Sequence, residues 1–210
     1  MKYTYIMIAT FVALVLTSCQ KGIEDVVISN GQTGTGSSTP TDTSKYLYYY
    51  EATIDGVSYK EIVTETNGYE AGSGAAGLDT VIVGGGIALI DTTKKGTSLG
   101  VDKGMVNGYL TMTNDQFKAF FTPGNYPYKP EGRGGVRVGW IDKNDDFWAT
   151  DQGVGDQTGS SFKITAVKTA PSLIDSYVEV TAEFNCKLYD VSGKVKTLTN
   201  GKVVCLFGKF

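Results

Sequence analysis

Between Val178 and Leu188 every second residue is apolar: Val178, Val180, Ala182, Phe184, Cys186 and Leu188 alternate with Glu179, Thr181, Glu183 and Lys187. A period of two places these sets on opposite faces of a pleated strand. A strand that is apolar on one face must bury that face against a second layer. Shorter runs of the same period recur upstream. Tyr48, Tyr50, Ala52 and Ile54 alternate with polar residues and end at Asp55-Gly56, a pair suited to a tight hairpin turn into Val57–Thr64. Thr80–Ile90 reads as a strand whose Gly84-Gly85-Gly86 marks a bulge or bend. Gly108–Thr113 reads as another strand. Val136, Val138 and Trp140 lead through the polar turn Asp142–Asp145 to Phe147-Trp148-Ala149, and Phe162–Ala166 forms a further strand. Ser192-Gly193 and Asn200-Gly201 lie in the connection to a final strand, Lys202–Phe207.

One segment breaks the pattern. Thr113-Asn114-Asp115-Gln116 fits a capping box, with Phe117, Phe120 and Phe121 behind it at helical spacing and Pro123-Gly124 as a stop. Many short strands, frequent glycine turns and one short helix predict an all-β fold, an antiparallel β-sandwich with one short helix. A β-barrel is the alternative, because periodicity does not separate stacking from closure.

The N-terminal segment follows a different logic. Met1-Lys2 is positive, Ile6–Leu16 is apolar, and Leu16-Thr17-Ser18-Cys19 closes with small residues. That order marks a cleaved export signal, and the apolar run is too short for a permanent membrane span. The Leu-Thr-Ser-Cys ending resembles the lipobox of bacterial lipoproteins, which makes Cys19 the expected lipidation site. Acyl chains such as palmitate on one Cys hold a protein on a membrane, each buried methylene contributing about 0.8 kcal/mol. Asn30–Ser44 is nearly all Gly, Ser, Thr, Gln and Asn, a composition that cannot bury a core. The expected organisation is therefore a signal peptide at 1–18, lipidated Cys19 with a flexible tether to residue 45, and a β-sandwich domain at 46–210.

Composition narrows the chemistry. The chain of 210 residues contains no histidine, which removes Ser-His-Asp and Cys-His nucleophile systems and His-ligated zinc. Its formal net charge of −3 falls to −4 without Lys2, leaving no electrostatic footprint for nucleic acid. No cofactor or metal motif stands out. Cys186 and Cys205 are expected near one another on one strand face, either bridged or as two buried thiols. A bridge would close a loop of about 20 residues and add roughly 3 kcal/mol.

Other motifs have plainer readings. Gly72-Ser73-Gly74-Ala75-Ala76-Gly77 matches GxGxxG, but without a preceding buried strand and a following helix it reads as part of a mobile loop, Asn67–Gly77. Asp142, Asn144 and Asp146 have the spacing of the first calcium-loop ligands, yet Phe147 and Gly153 stand where that loop needs Gly and Glu, so a hairpin turn is expected. Glu51, Glu61, Asp146 and Asp151 are carboxylates that could serve a glycan hydrolase, with no spacing that selects a pair. The aromatics are more suggestive. Tyr126 and Tyr128 sit in the proline-stiffened Pro123–Pro130 loop, and Trp140 and Trp148 flank one turn. Exposed rings of this kind suit sugar faces, whereas strand tryptophans more often serve as core.

Taken with the lipobox and polar tether, Ala52-Thr53-Ile54-Asp55-Gly56, Pro123-Gly124-Asn125-Tyr126 and Leu198-Thr199-Asn200-Gly201 resemble landmarks of a group of uncharacterised lipoproteins of Bacteroidota-type bacteria. The resemblance implies a β-sandwich on the cell envelope and brings no catalytic residue. Acidic residues soon after the lipidated Cys, here Glu24-Asp25, imply the outer membrane and exposure at the cell surface. The expected function is a non-enzymatic envelope lipoprotein that binds a polysaccharide or a partner protein through Tyr126, Tyr128, Trp140 and Trp148. A carboxylate-dependent hydrolase and a purely structural component are the alternatives.

Overall fold

Hairpin turns set the order of the strands. Asp55 and Gly56 adopt φ of 48° and 80°, the left-handed pair that a two-residue turn requires. They join β1 (Tyr49–Ile54) to β2 (Val57–Ile62) in full register. The computed structural model describes residues 48–77, 80–170 and 177–209. The signal segment, Cys19 and the tether lie outside these residues.

The chain continues through β3 (Tyr69–Gly77), β4 (Thr80–Leu89), β5 (Ser98–Asn107), α1 (Asn114–Ala119) and β6 (Gly124–Asn125). Then come β7 (Val136–Ile141), β8 (Phe147–Ala149), β9 (Ser161–Thr169), β10 (Tyr177–Tyr189) and β11 (Val195–Gly208). All strand pairings are antiparallel and form one network ordered β2-β1-β11-β10-β8-β7-β5-β4-β3, with β9 on β10 and β6 on β9. β10 meets β8 at a single rung, Tyr189 to Ala149. There the network folds into two layers, β3-β4-β5-β7-β8 against β2-β1-β11-β10-β9-β6. The fold is thus an all-β antiparallel sandwich, curled into an open half-barrel. Among the described residues β2 and β3 end the network unpaired, so the sheet does not close.

Between the layers lies one core, to which Tyr50, Val83, Leu99, Val138, Trp140, Val180, Phe184, Leu188, Val203 and Phe207 contribute. The alternation along β10 delivers Val178, Val180, Ala182, Phe184, Cys186 and Leu188 to it, each buried. Gly85 marks the closest approach of the layers. A Cβ there would overlap the Leu206 carbonyl oxygen and lie 3.0 Å from the Phe207 ring, so only glycine lets β4 cross β11 at this spacing.

Three sequence expectations change. The GxGxxG stretch belongs to β3, where Gly72, Ser73 and Gly74 pair with Gly86, Gly85 and Gly84. A glycine-rich hairpin replaces the expected loop, and within it Gly85 of the partner strand passes close to the opposite layer. Ser98–Asn107 forms a strand, whereas the expected 108–113 strand is a turn, with the Thr111 amide donating to the Gly108 carbonyl over 3.0 Å. Asn200-Gly201 lies inside continuous β11 instead of in the connection that precedes the last strand. Asn200 takes φ of 52° and its N–H bonds the Asn185 side chain where the β10 register shifts, forming a bulge.

The same register corrects the cysteine expectation. Cys205 pairs with Val180 and Cys186 with Leu198. The thiols share a face, but six residues of β10 (180 to 186) separate their rungs, about 20 Å at 3.3 Å per residue. That distance exceeds disulfide reach, roughly 7 Å between Cα atoms. Both are free and buried, and burial pushes each thiol up to about 12.

Candidate functional site

On the inner face of β5, Leu99 and Val101 are followed at the next inward position by a lysine. Lys103 is only 6% exposed. Its ammonium reaches the end of α1 and the segment that follows β6. The Thr113 hydroxyl accepts from Gln116 N (3.2 Å), and the Gln116 side chain accepts from Thr113 N (2.7 Å), completing the capping box. The helix buries Phe117, and Phe121 behind it is also buried, while Phe120 is left half-buried. Lys103 Nζ lies 3.5 Å from the Phe120 ring centre, 4.6 Å from Tyr126 and 5.9 Å from Phe121. No carboxylate pairs with it among the described residues. Desolvation pulls the amine down to about 8, and the ring faces offset part of that cost, each by about 2 kcal/mol when dry. The Lys103 methylenes help line a small apolar void of about 10 Å³, room for about one water molecule, together with Val101, Phe121, Phe162, Val180, Cys205 and Phe207 among others.

The four aromatics expected to bind a ligand take separate roles. Trp140 and Trp148 face each other across β7 and β8 and are buried, at 2% and 8% exposure. Trp140 meets Tyr59 edge-on at 5.3 Å. The Trp148 indole N–H donates to Asp142 (3.3 Å), with Lys196 Nζ 4.4 Å from its ring. The alternation that suggested strand positions also places both rings in the core, so they form no open sugar platform. Tyr128 directs its hydroxyl at the Ser161 and Asn185 carbonyls, both at 3.1 Å, and burial pushes that hydroxyl far up. Its partners hold the proline-rich loop to β9 and β10. Tyr126, its hydroxyl donated to the Thr122 carbonyl, keeps part of its ring at the surface as a cap on Lys103. Of the four, Tyr126 joins Phe120 in an accessible aromatic pair.

The remaining buried charges are internally matched. Arg137 bridges Asp102 (3.0 Å) and Asp151 (2.7 Å), and Asp151 also accepts the Glu131 N–H (3.0 Å). This arrangement clamps the Pro130–Gly132 turn over β5 and β7. Burial raises the Asp102 carboxyl against the opposing pull of Arg137. A second network ties β1, β2 and β3 to the loop that enters β5: the Tyr50 hydroxyl meets the Thr97 hydroxyl, which donates to Glu61 (3.2 Å), while Thr97 N donates to Tyr69 (3.2 Å). Asp142 accepts from Asn144 N and Asp146 N as well as Trp148, the pattern of a hairpin-turn aspartate.

The acids considered for hydrolysis are dispersed. Glu51 pairs with Lys60 (3.1 Å) on the outer face, whereas Glu61, directly opposite Tyr50, points inward. Asp146 lies in the exposed β7–β8 turn, and both oxygens of Asp151 are engaged. No group of three acidic or cysteine side chains among the described residues could hold a metal ion.

The accessible features of this sandwich are therefore a lysine under two surface rings and two open sheet edges. No protein-family model matches the chain, and no curated protein or solved structure resembles it closely enough to count as a match.

Proposed function

We propose that the chain is a lipid-anchored envelope protein whose β-sandwich is a non-catalytic binding module, and that of the two ligand classes open from sequence, glycan and protein, it recruits a protein. The anchor reading rests on the Leu16–Cys19 lipobox and the polar tether that follows it. Outer-membrane placement rests on Glu24-Asp25. No helix among the described residues is long and apolar enough to cross a membrane. Membership of the Bacteroidota-type lipoprotein group belongs to the same proposal.

The edge of β3 carries the protein reading. It extends over nine residues, is unpaired among the described residues, contains no proline, and bears one charge, Glu70. Sheet edges in stable monomers are usually short, bulged or guarded by charge, because free N–H and C=O groups template another strand. A partner contributing an extended segment would gain main-chain hydrogen bonds along β3. The burial of Trp140, Trp148 and most of Tyr128 weighs against a broad sugar platform.

Ala76 lies on the outer face of β3, like Glu70, so Ala76→Lys places a guarding charge on the edge without entering the core. The variant should melt with the wild type yet lose the partner in envelope pull-downs. Retention of the partner would move the interface elsewhere.

A further inference from the structure

The centre of β3 reads the same in both directions. Ala71-Gly72-Ser73-Gly74-Ala75 is a palindrome about Ser73, and Ser73 is the middle residue of the nine-residue strand. The Ile90 N–H donates to the Gly68 carbonyl over 2.9 Å, which sets the phase of the β3–β4 ladder. The register then runs from Tyr69 to Gly77 without a shift. Successive residues of an antiparallel strand direct their backbone groups alternately to one neighbour and the other. Even-numbered residues of β3 therefore bond to β4, and residues 69, 71, 73, 75 and 77 turn their N–H and C=O groups to the open edge. Two such strands laid antiparallel in full overlap bring Ser73 opposite Ser73, and their outward residues meet as hydrogen-bonded pairs.

We propose that β3 pairs antiparallel with β3 of a second copy of this chain, about a two-fold axis at Ser73, joining the two sandwiches through one continuous sheet. The palindrome makes the edge complementary to itself, as an isologous contact requires. Ala71 faces the partner's Ala75 and Gly72 faces the partner's Gly74, so no bulky side chains collide across the axis. Glu70, the one charge of the strand, faces the partner's Ala76 on the outer face and meets no like charge. The opposite edge, β2, carries Lys60 and Glu61 and has no such symmetry. The inference rests on the reading of β3 as an open docking edge and names a second occupant, which a foreign strand has to displace. Two copies anchored in one membrane meet at high effective concentration, so a pairing that is weak in solution is populated there.

The full chain carrying Cys19→Ser receives no acyl group, so it can be studied without detergent. Sedimentation velocity from low micromolar to near-millimolar concentration should show monomer passing to dimer and no larger species. In the dimer the amides of Ala71, Ser73 and Ala75 should gain protection from hydrogen exchange, while those of Gly72 and Gly74 are protected in both states. Ala75→Pro removes an N–H that faces away from β4, a place where an edge strand tolerates proline, and should abolish the dimer. Ala76→Glu sets a like charge against the partner's Glu70 twice per dimer and should weaken association about fivefold at low salt. Adding Glu70→Lys to that variant should restore it. Ala76→Lys, which guards the edge against a foreign strand, here meets the partner's Glu70 and should keep the dimer. A wild type that stays monomeric, a dimer untouched by Ala75→Pro, or association indifferent to Ala76→Glu would each overturn the assignment. The wild-type sedimentation and exchange data decide the matter if a variant fails to fold. A foreign partner in the pull-down without any dimer overturns this inference and leaves the recruiting reading standing; a dimer with no foreign partner supports it and makes the second copy the occupant of the edge.

Discussion

Replacing Gly85 by alanine tests the packing of the two layers. The new methyl group would overlap the Leu206 carbonyl oxygen and press on the Phe207 ring at 3.0 Å. The first obstacle is backbone in the middle of β11, paired with β10 through Glu179, so no side-chain rotation relieves it. Inserting one carbon into a packed core costs about 1–3 kcal/mol, and a backbone obstacle puts this site at the upper end. For a domain of this size each kcal/mol shifts the melting temperature by about 2–4 °C, so Gly85→Ala should lower it by roughly 6–12 °C. Gly159→Ala is the control. Gly159 has φ of 82° with nothing within 4 Å of its Cβ position, leaving only backbone strain of about 1–2 kcal/mol. Thermal unfolding followed by circular dichroism gives both values. A Gly85→Ala melt within 1–2 °C of wild type, or below the control's loss, would refute close crossing of β4 over β11.

Lys103 predicts a pH signature. The folded amine titrates at about 8 against an ordinary 10.5, so between these values the unfolded chain binds more protons and stability rises with pH, by about 3 kcal/mol at most. Cys186 and Cys205, pushed up to about 12, act oppositely above pH 9, since their unfolded forms ionise first. The comparison is therefore wild type minus Lys103→Met in urea unfolding, which should climb from pH 8 to 10; a flat difference would contradict the buried amine. Arg137→Met leaves Asp102 and Asp151 facing each other without their cation and should cost about 3–5 kcal/mol at pH 7 in the same assay, with a smaller loss at acid pH where the carboxyls protonate. In the Cys19→Ser chain, Ellman's reagent without reductant should find two thiols in denaturant and none in the native state; no thiols in denaturant would restore the disulfide.

Local chemistry was legible where one rule acted alone. The Asp55-Gly56 turn, the Thr113–Gln116 capping box and the alternation of β10 each appear in the fold as written in the chain. Where a long-range demand overrode a local one, the sequence misled. β4 carries glycine at position 85 because β11 passes close by, a constraint set more than 100 residues away. Asn200-Gly201 has turn composition but is spent on a bulge, since β10 continues beyond it. The expected nearness of Cys186 and Cys205 failed for the same reason, because the bulge and the Ser192-Gly193 turn together set the register, and of the two open readings the buried free thiols hold. Lys103 left a trace that could have been found: Leu99, Val101 and Lys103 share one alternation, with a cation at a core position. The tryptophans had two readings, of which core packing was the favoured one, and their strand alternation carried it.

The account turns on whether the β3 edge is a docking strand in the envelope. A photo-crosslinking residue at Glu70, on the exposed outer face of that edge, tests it in intact cells, with the exposed Val154 as a control position. The account predicts a discrete protein adduct from position 70 that disappears in the Ala76→Lys background, and none from position 154. No adduct at 70, or an adduct indifferent to Ala76→Lys, would contradict it.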